Sequence, residues 1–151
     1  MWWILPIACG WHLGSPSLPA LSAGPVSYVG PEPGARAMVE RALAARLSEL
    51  GSGRGRPLSV TVEAGDAPEA AVPVDQGTVA WTWTWRAHFE VDAICEGTIV
   101  ARRTYVVGPG DVIDPATPRA GAARLLADEV ADRIVASLLA SPACATLPTD
   151  P

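Results

Sequence analysis

Lysine is absent from this 151-residue chain: all eleven basic residues are arginine, set against sixteen Asp and Glu for a net charge of −5. No basic block is long enough to track a phosphate backbone, so nucleic acid is not an expected partner. Cysteine is scarce, with only Cys9, Cys95 and Cys144, and no two of them share Cys-x-x-Cys spacing. His12 and His88 stand alone, so the donor set of a structural zinc site is missing. Gly-x-Ser-x-Gly, a phosphate-binding loop and His-Glu-x-x-His are all lacking. The carboxylates Asp66, Glu69 and Asp75 fall in a proline-containing stretch, a poor place to shift a carboxylate pKa. Binding rather than catalysis is expected, with no metal and no cofactor.

What the chain has is one long alternating stretch, Trp81 to Ala93. Trp81, Trp83, Trp85, Ala87, Phe89, Val91 and Ala93 are apolar; Thr82, Thr84, Arg86, His88, Glu90 and Asp92 between them are polar. A period of two over this length predicts a strand with one buried and one wet face, in an antiparallel rather than a parallel setting. Each tryptophan can bury roughly 150–250 Å². At about 25 cal/mol per Å² this is an upper bound of about 4–6 kcal/mol per indole. Such a face must be covered, and two helical segments are available to do it.

In chain order, Met1 to Ala8 is an apolar run far shorter than the roughly 20 residues a bilayer span needs. It reads as the end of a secretory signal, and Ala8-Cys9-Gly10 as a lipoprotein cleavage site at which Cys9 is acylated. The competing reading is a buried N-terminal strand with an incidental cysteine. Gly14 to Gly24 reads as a tether and Val26 to Val29 as a short strand. Ala35 to Leu50 has helical spacing, with Val39, Leu43, Leu47 and Leu50 as its core stripe, Glu32 near its start and Gly51 as its stop.

Leu58 to Glu63 alternates as a second strand, and Gly65 to Gly77 reads as irregular. After the tryptophan strand, Glu96-Gly97 marks a turn, and Thr98 to Val107 returns. A three-residue turn would pair Phe89 with Tyr105 and Asp92 with Arg102; a two-residue turn would set Val91 against Arg102. The first keeps apolar residues on one face and is preferred. It also puts Arg103 on that apolar face, where it needs a partner. Thr117 is the expected N-cap of a second helix, Arg119 to Ala140, with Leu126, Val130, Ile134 and Leu138 as its core stripe and Arg124/Asp128 and Glu129/Arg133 on its wetter side.

The expected fold is α+β: two helices packed on one face of a four-stranded, mostly antiparallel sheet, in the order β-α-β-β-β-α. The chain divides into a signal remnant (1–8), a lipidated cysteine and tether (9–24), one domain (25–140) and a mobile tail (141–151). In an oxidising compartment Cys95 and Cys144 are the pair left for a disulfide. Two unrelated small apolar residues is the other reading, and both stay open.

Cys9-Gly10-Trp11-His12-Leu13, taken with this order of elements, resembles the LPS-assembly lipoprotein family LptE. Members have a Cys-Gly-Trp-His-Leu start after the signal and a two-helix layer on a four-stranded sheet. In them an arginine-bearing strand, here Val100-Ala101-Arg102-Arg103, leads through a loop into a C-terminal helix. The resemblance implies a protein anchored by its lipid in the outer membrane, on the periplasmic face. It implies a plug inside the LptD β-barrel that supports lipopolysaccharide transport to the cell surface, with lipopolysaccharide bound through basic residues on the sheet. The alternative is a periplasmic lipoprotein subunit of another lipid-transport system, an auxiliary to an ABC transporter.

From chemistry alone, arginine forks match lipid A phosphates. Arg86, beside Thr82, Thr84 and His88, is the first candidate contact to ligand or barrel; Arg102 and Arg103 follow. Against this, Arg86 reads equally as a solvated sheet residue and Arg102 as a cross-strand partner of Asp92. The tryptophans read either as core beneath the helices or as an aromatic surface against the barrel wall.

Overall fold

The computed structural model describes residues 20–51, 54–65, 69–75, 78–107, 116–145 and 147. Cys9, the signal and most of the tether lie outside the described residues. The elements are β1 (Leu21–Val29), α1 (Ala35–Glu49), β2 (Arg56–Ala64), β3 (Glu69–Asp75), β4 (Thr78–Val91), β5 (Cys95–Val107), α2 (Ala116–Ala140) and a single-turn α3 (Pro142–Ala145).

The expected α+β architecture is present. β1 and β2 pair in parallel, joined through α1; β2–β4 and β4–β5 are antiparallel. β5 lines one edge of β4 from Val79 to Val91, while β2 and β3 share the other edge, opposite Trp85–Glu90 and Thr78–Thr82 respectively. The sheet is therefore four strands wide, β1-β2-β4-β5, and β3 continues the line of β2 beyond a break at Gly65. This corrects the reading of 65–77 as irregular. A proline and clustered acids argue against a strand from composition, but the long β4 offers ladder partners well beyond the end of β2, and backbone groups there take them.

The sheet also begins earlier than the tether boundary implied. Leu21 pairs with Arg56 and is fully buried. The register slips between Ala23 and Val26, at Gly24-Pro25. A bulge suits a proline, which has no N–H for the ladder. It suits Gly24 too, since a Cβ there would lie 2.8 Å from the Leu58 carbonyl oxygen.

Both long helices cover the face that carries Trp83, Trp85, Ala87, Phe89 and Val91. In α1, Val39, Leu43 and Leu47 are buried as expected, with Ala35 and Ala42 beside them. Leu50 departs from that stripe and is exposed. The helix ends at Glu49 and the Gly51 N–H turns back to the Ser48 carbonyl with φ 72°, so the 3.6-residue period no longer governs Leu50. In α2, Leu126, Val130, Ile134 and Leu138 are all fully buried, flanked by Ala122, Ala123, Ala127 and Ala131. The helix starts at Ala116, so Thr117 lies in its first turn rather than ahead of it. The two helices run parallel, Arg46 of α1 pairing with Asp132 of α2. Of the expected tail, α3 and Leu147 are among the described residues, and Cys144 and Leu147 are buried.

The hairpin register differs from both expected ones. The turn is at Asp92–Ile94: Val91 pairs with Cys95, the Ile94 N–H bonds the Val91 carbonyl, and Asp92 and Ala93 have φ of 52° and 54°. Glu96-Gly97, which reads as a turn from composition, lies within β5 instead. Gly97 sits opposite Phe89, and a Cβ on it would come within 2.5 Å of the Phe89 Cζ. The glycine is there to seat a buried ring, not to bend the chain. Gly97→Val is accordingly expected to cost about 1–3 kcal/mol through overpacking. In Phe89→Ala/Gly97→Val the two costs should fall well short of additive in urea unfolding, and strict additivity would mean that the two positions do not meet.

Candidate functional site

Alternation puts the even-numbered residues of β4 and β5 on the face away from the helices. Among the described residues no element covers it. Neighbouring strands set Glu63, Arg86 and Val100 in one row, Thr61, His88 and Thr98 in the next, and Thr84 beside Arg102. Hydroxyls link the strands: Ser27 to Thr61 at 3.0 Å, Thr82 to Thr104 at 3.1 Å, and His88 Nδ1 to Thr98 at 3.3 Å. A shallow hollow of about 260 Å³ opens where β2 breaks, lined by Glu63, Ala64, Gly65, Thr84 and Arg86. The Thr84 hydroxyl is buried and has no hydrogen-bond partner among the described residues.

The candidate arginines are divided by this geometry. Arg86 and Arg102 share the open face as diagonal neighbours on adjacent strands, both exposed. Neither has an ion-pair partner among the described residues. Asp92 is not the partner of Arg102; it pairs with Arg56 across the hairpin end. Arg103 lies on the helix face, and its partner is Glu129 of α2 at 2.9 Å, which also holds Arg133 at 2.8 Å. Its role is to tie β5 to α2, so it is not part of the open surface.

Trp83 and Trp85 are core, 4% and 0% exposed, while Trp81 near the end of the sheet is only partly covered. Cys95 and Cys144 are joined by a disulfide, with Cα atoms 4.9 Å apart. The threonine rows and the buried Thr84 hydroxyl escaped the sequence reading. Their residues stand in plain alternation, but which of them meet depends on a register set by Phe89 and Gly97. The signal for Glu129 was its place one turn before Arg133, on the flank of an otherwise buried stripe.

Chemically, the open face offers two guanidinium forks without an ion-pair partner among the described residues, and rows of hydroxyls. That donor set can hold an anionic, hydroxyl-rich surface. No helix of the described residues is long and apolar enough to cross a membrane.

No family model and no curated protein matches the chain. Among solved structures it is similar to rare lipoprotein B from Shewanella oneidensis, at 13% identity over 75% of this chain and 92% of that one, TM-score 0.45. It is similar also to a minor lipoprotein from Acinetobacter baumannii, at 18% identity over 76% and 91% of the two chains, TM-score 0.44. A protein from Xanthomonas campestris aligns at 16% identity over 82% and 88%, TM-score 0.47.

Proposed function

We propose that this chain is a lipid-anchored envelope protein of the LptE kind, held by Cys9 in the outer membrane and seated in an LptD-type β-barrel. There it supports lipopolysaccharide transport by plugging and binding. The observation that carries this reading is Cys9-Gly10-Trp11-His12-Leu13, standing ahead of a two-layer domain with one sheet face left open. Two further features support it. The Cys95–Cys144 bond suits an oxidising compartment such as the periplasm. The open face carries Arg86 and Arg102 among hydroxyl groups, a donor set matched to the phosphates and sugar hydroxyls of lipopolysaccharide.

The test is affinity purification from membranes at native expression, on the parent chain and on Cys9→Ala. The parent is expected to bring a large β-barrel with it, and Cys9→Ala to move to the soluble periplasmic fraction. Recovery of the parent alone, or unchanged membrane retention of Cys9→Ala, would overturn the reading. Replacing Arg86 and Arg102 together by glutamine is expected to weaken lipopolysaccharide binding while leaving the unfolding free energy within about 0.5 kcal/mol of the parent, as for open surface sites.

A further inference from the structure

The two edges of the sheet are built differently. β1 is broken by the Gly24-Pro25 bulge, a device that blunts an edge against pairing. β5 has no bulge and no proline: its register against β4 runs unbroken from Cys95 to Val107, and its charged residues are Glu96, Arg102 and Arg103. Its outer backbone groups have no strand partner among the described residues. Exposed apolar side chains gather along the same border: Ile94 at 54%, Val100 at 36% and Val106 at 52%. Leu125, one turn before Glu129 on the flank of α2 that meets Arg103, is 53% exposed.

The charge along this edge is dipolar. At the hairpin end Glu96 lies directly opposite Glu90, two like charges side by side on the open face, an unfavourable pairing on its own. At the other end Arg102 lies opposite the neutral Thr84, with Arg86 diagonal to it. Glu96 and Arg102 are six positions apart, about 20 Å along the strand at about 3.4 Å per residue. Because the signs are opposite, the edge is complementary to itself when turned end for end. A twofold axis beside Ile99 sets Arg102 of each copy opposite Glu96 of the other. The same axis brings Ala101 against Gly97, Val100 against Thr98, and Arg103, which Glu129 holds toward α2, against Cys95.

We infer that β5 is a self-association edge: a second copy of this chain pairs with it antiparallel about Ile99, joining the two sheets into one and placing Arg102 against Glu96 at two equivalent points. The interface is isologous, so it closes at a dimer rather than growing into a fibre. This goes beyond the plugging role and does not rest on it.

Sedimentation equilibrium of the full chain in a neutral, density-matched detergent tests it. The parent is expected to be a dimer in exchange with monomer. Arg102→Glu, which creates like charges at both points, should weaken the dimer about tenfold or more. Glu96→Arg combined with Arg102→Glu should restore it, a rescue that a folding defect would not give. Ile99→Cys should form an intermolecular disulfide, because opposed antiparallel residues lie about 4.5–5.5 Å apart at Cα, within disulfide reach. Val29→Cys on the blunted edge should not. A parent that is monomeric at every concentration, a dimer indifferent to Arg102→Glu, failure of the double exchange, or equal cross-linking at Val29 would each overturn the inference. Pairing of β5 only with an unrelated strand would do the same.

Discussion

Trp85→Ala is expected to lower the unfolding free energy by about 3–5 kcal/mol, a large part of the roughly 5–15 kcal/mol that holds a domain of this kind together. The indole is fully buried at the middle of β4. Its cross-strand neighbours are Ala64 on β2 and Ala101 on β5, both small, which is what leaves room for it between the sheet and the helices. Trp83 packs edge-on at 5.6 Å and 84°, and Tyr28 at 5.3 Å and 59°. Burial pushes the Tyr28 phenol up to about 12, so that ring stays neutral beside it. Removing Trp85 leaves a cavity whose walls are strands fixed by their ladders, and strands close up poorly.

Trp85→Phe should cost less than half as much. The Trp85 Nε1 is buried without a hydrogen-bond partner among the described residues, so phenylalanine removes an unpaired donor along with part of the volume. Trp81→Ala, at the partly covered end of the row, should cost less than Trp85→Ala. Urea unfolding with an unchanged slope is the measurement. A loss under about 1 kcal/mol for Trp85→Ala would mean that this face is not the core.

That prediction could be framed from the sequence, because the information it needs is local. Alternation through Trp81–Val91 sorts the side chains between two faces, and Leu126, Val130, Ile134 and Leu138 mark the helix that covers one of them. Both patterns are periodic, and periodicity survives without knowing what the chain meets. What the sequence hid was contact-dependent. Gly97 looks like a turn residue until Phe89 is placed over it, and moving the turn from Glu96-Gly97 to Asp92–Ile94 re-pairs every residue of the hairpin. Arg102 thereby loses Asp92 and, on the same open face, comes beside Thr84 and diagonal to Arg86. Arg103 keeps its place on the helix face but gains Glu129, 26 positions along the chain, a partner no local rule could select. β3 was illegible for a related reason: Glu69–Asp75 is a strand because β4 overruns β2, not because its own residues favour one.

Loss of the Cys95–Cys144 bond is the other change expected to be large. The cysteines are 49 positions apart, and closing a loop of that length in the unfolded chain is worth up to about 4 kcal/mol. The bond also has a local task. α3 is a single turn, and the link to Cys95 clamps it to the first residue of β5, beside the hairpin turn. Cys95→Ala, Cys144→Ala and the double variant should each lose about 2–4 kcal/mol, with a fall of roughly 10 °C in the melting temperature. The decisive feature is the coupling. Either single change already abolishes the bond, so the double variant should be scarcely worse than either single one. Two unrelated buried thiols would behave otherwise, with smaller, separate losses that add. Both cysteines are buried, at 0% and 1% exposure, so dithiothreitol should reduce the bond slowly in the native protein and quickly once urea opens it. A chain folded under reducing conditions should match the double variant in stability and regain the difference on oxidation. That dependence would tie the stability of the domain to the redox state of the compartment in which it folds.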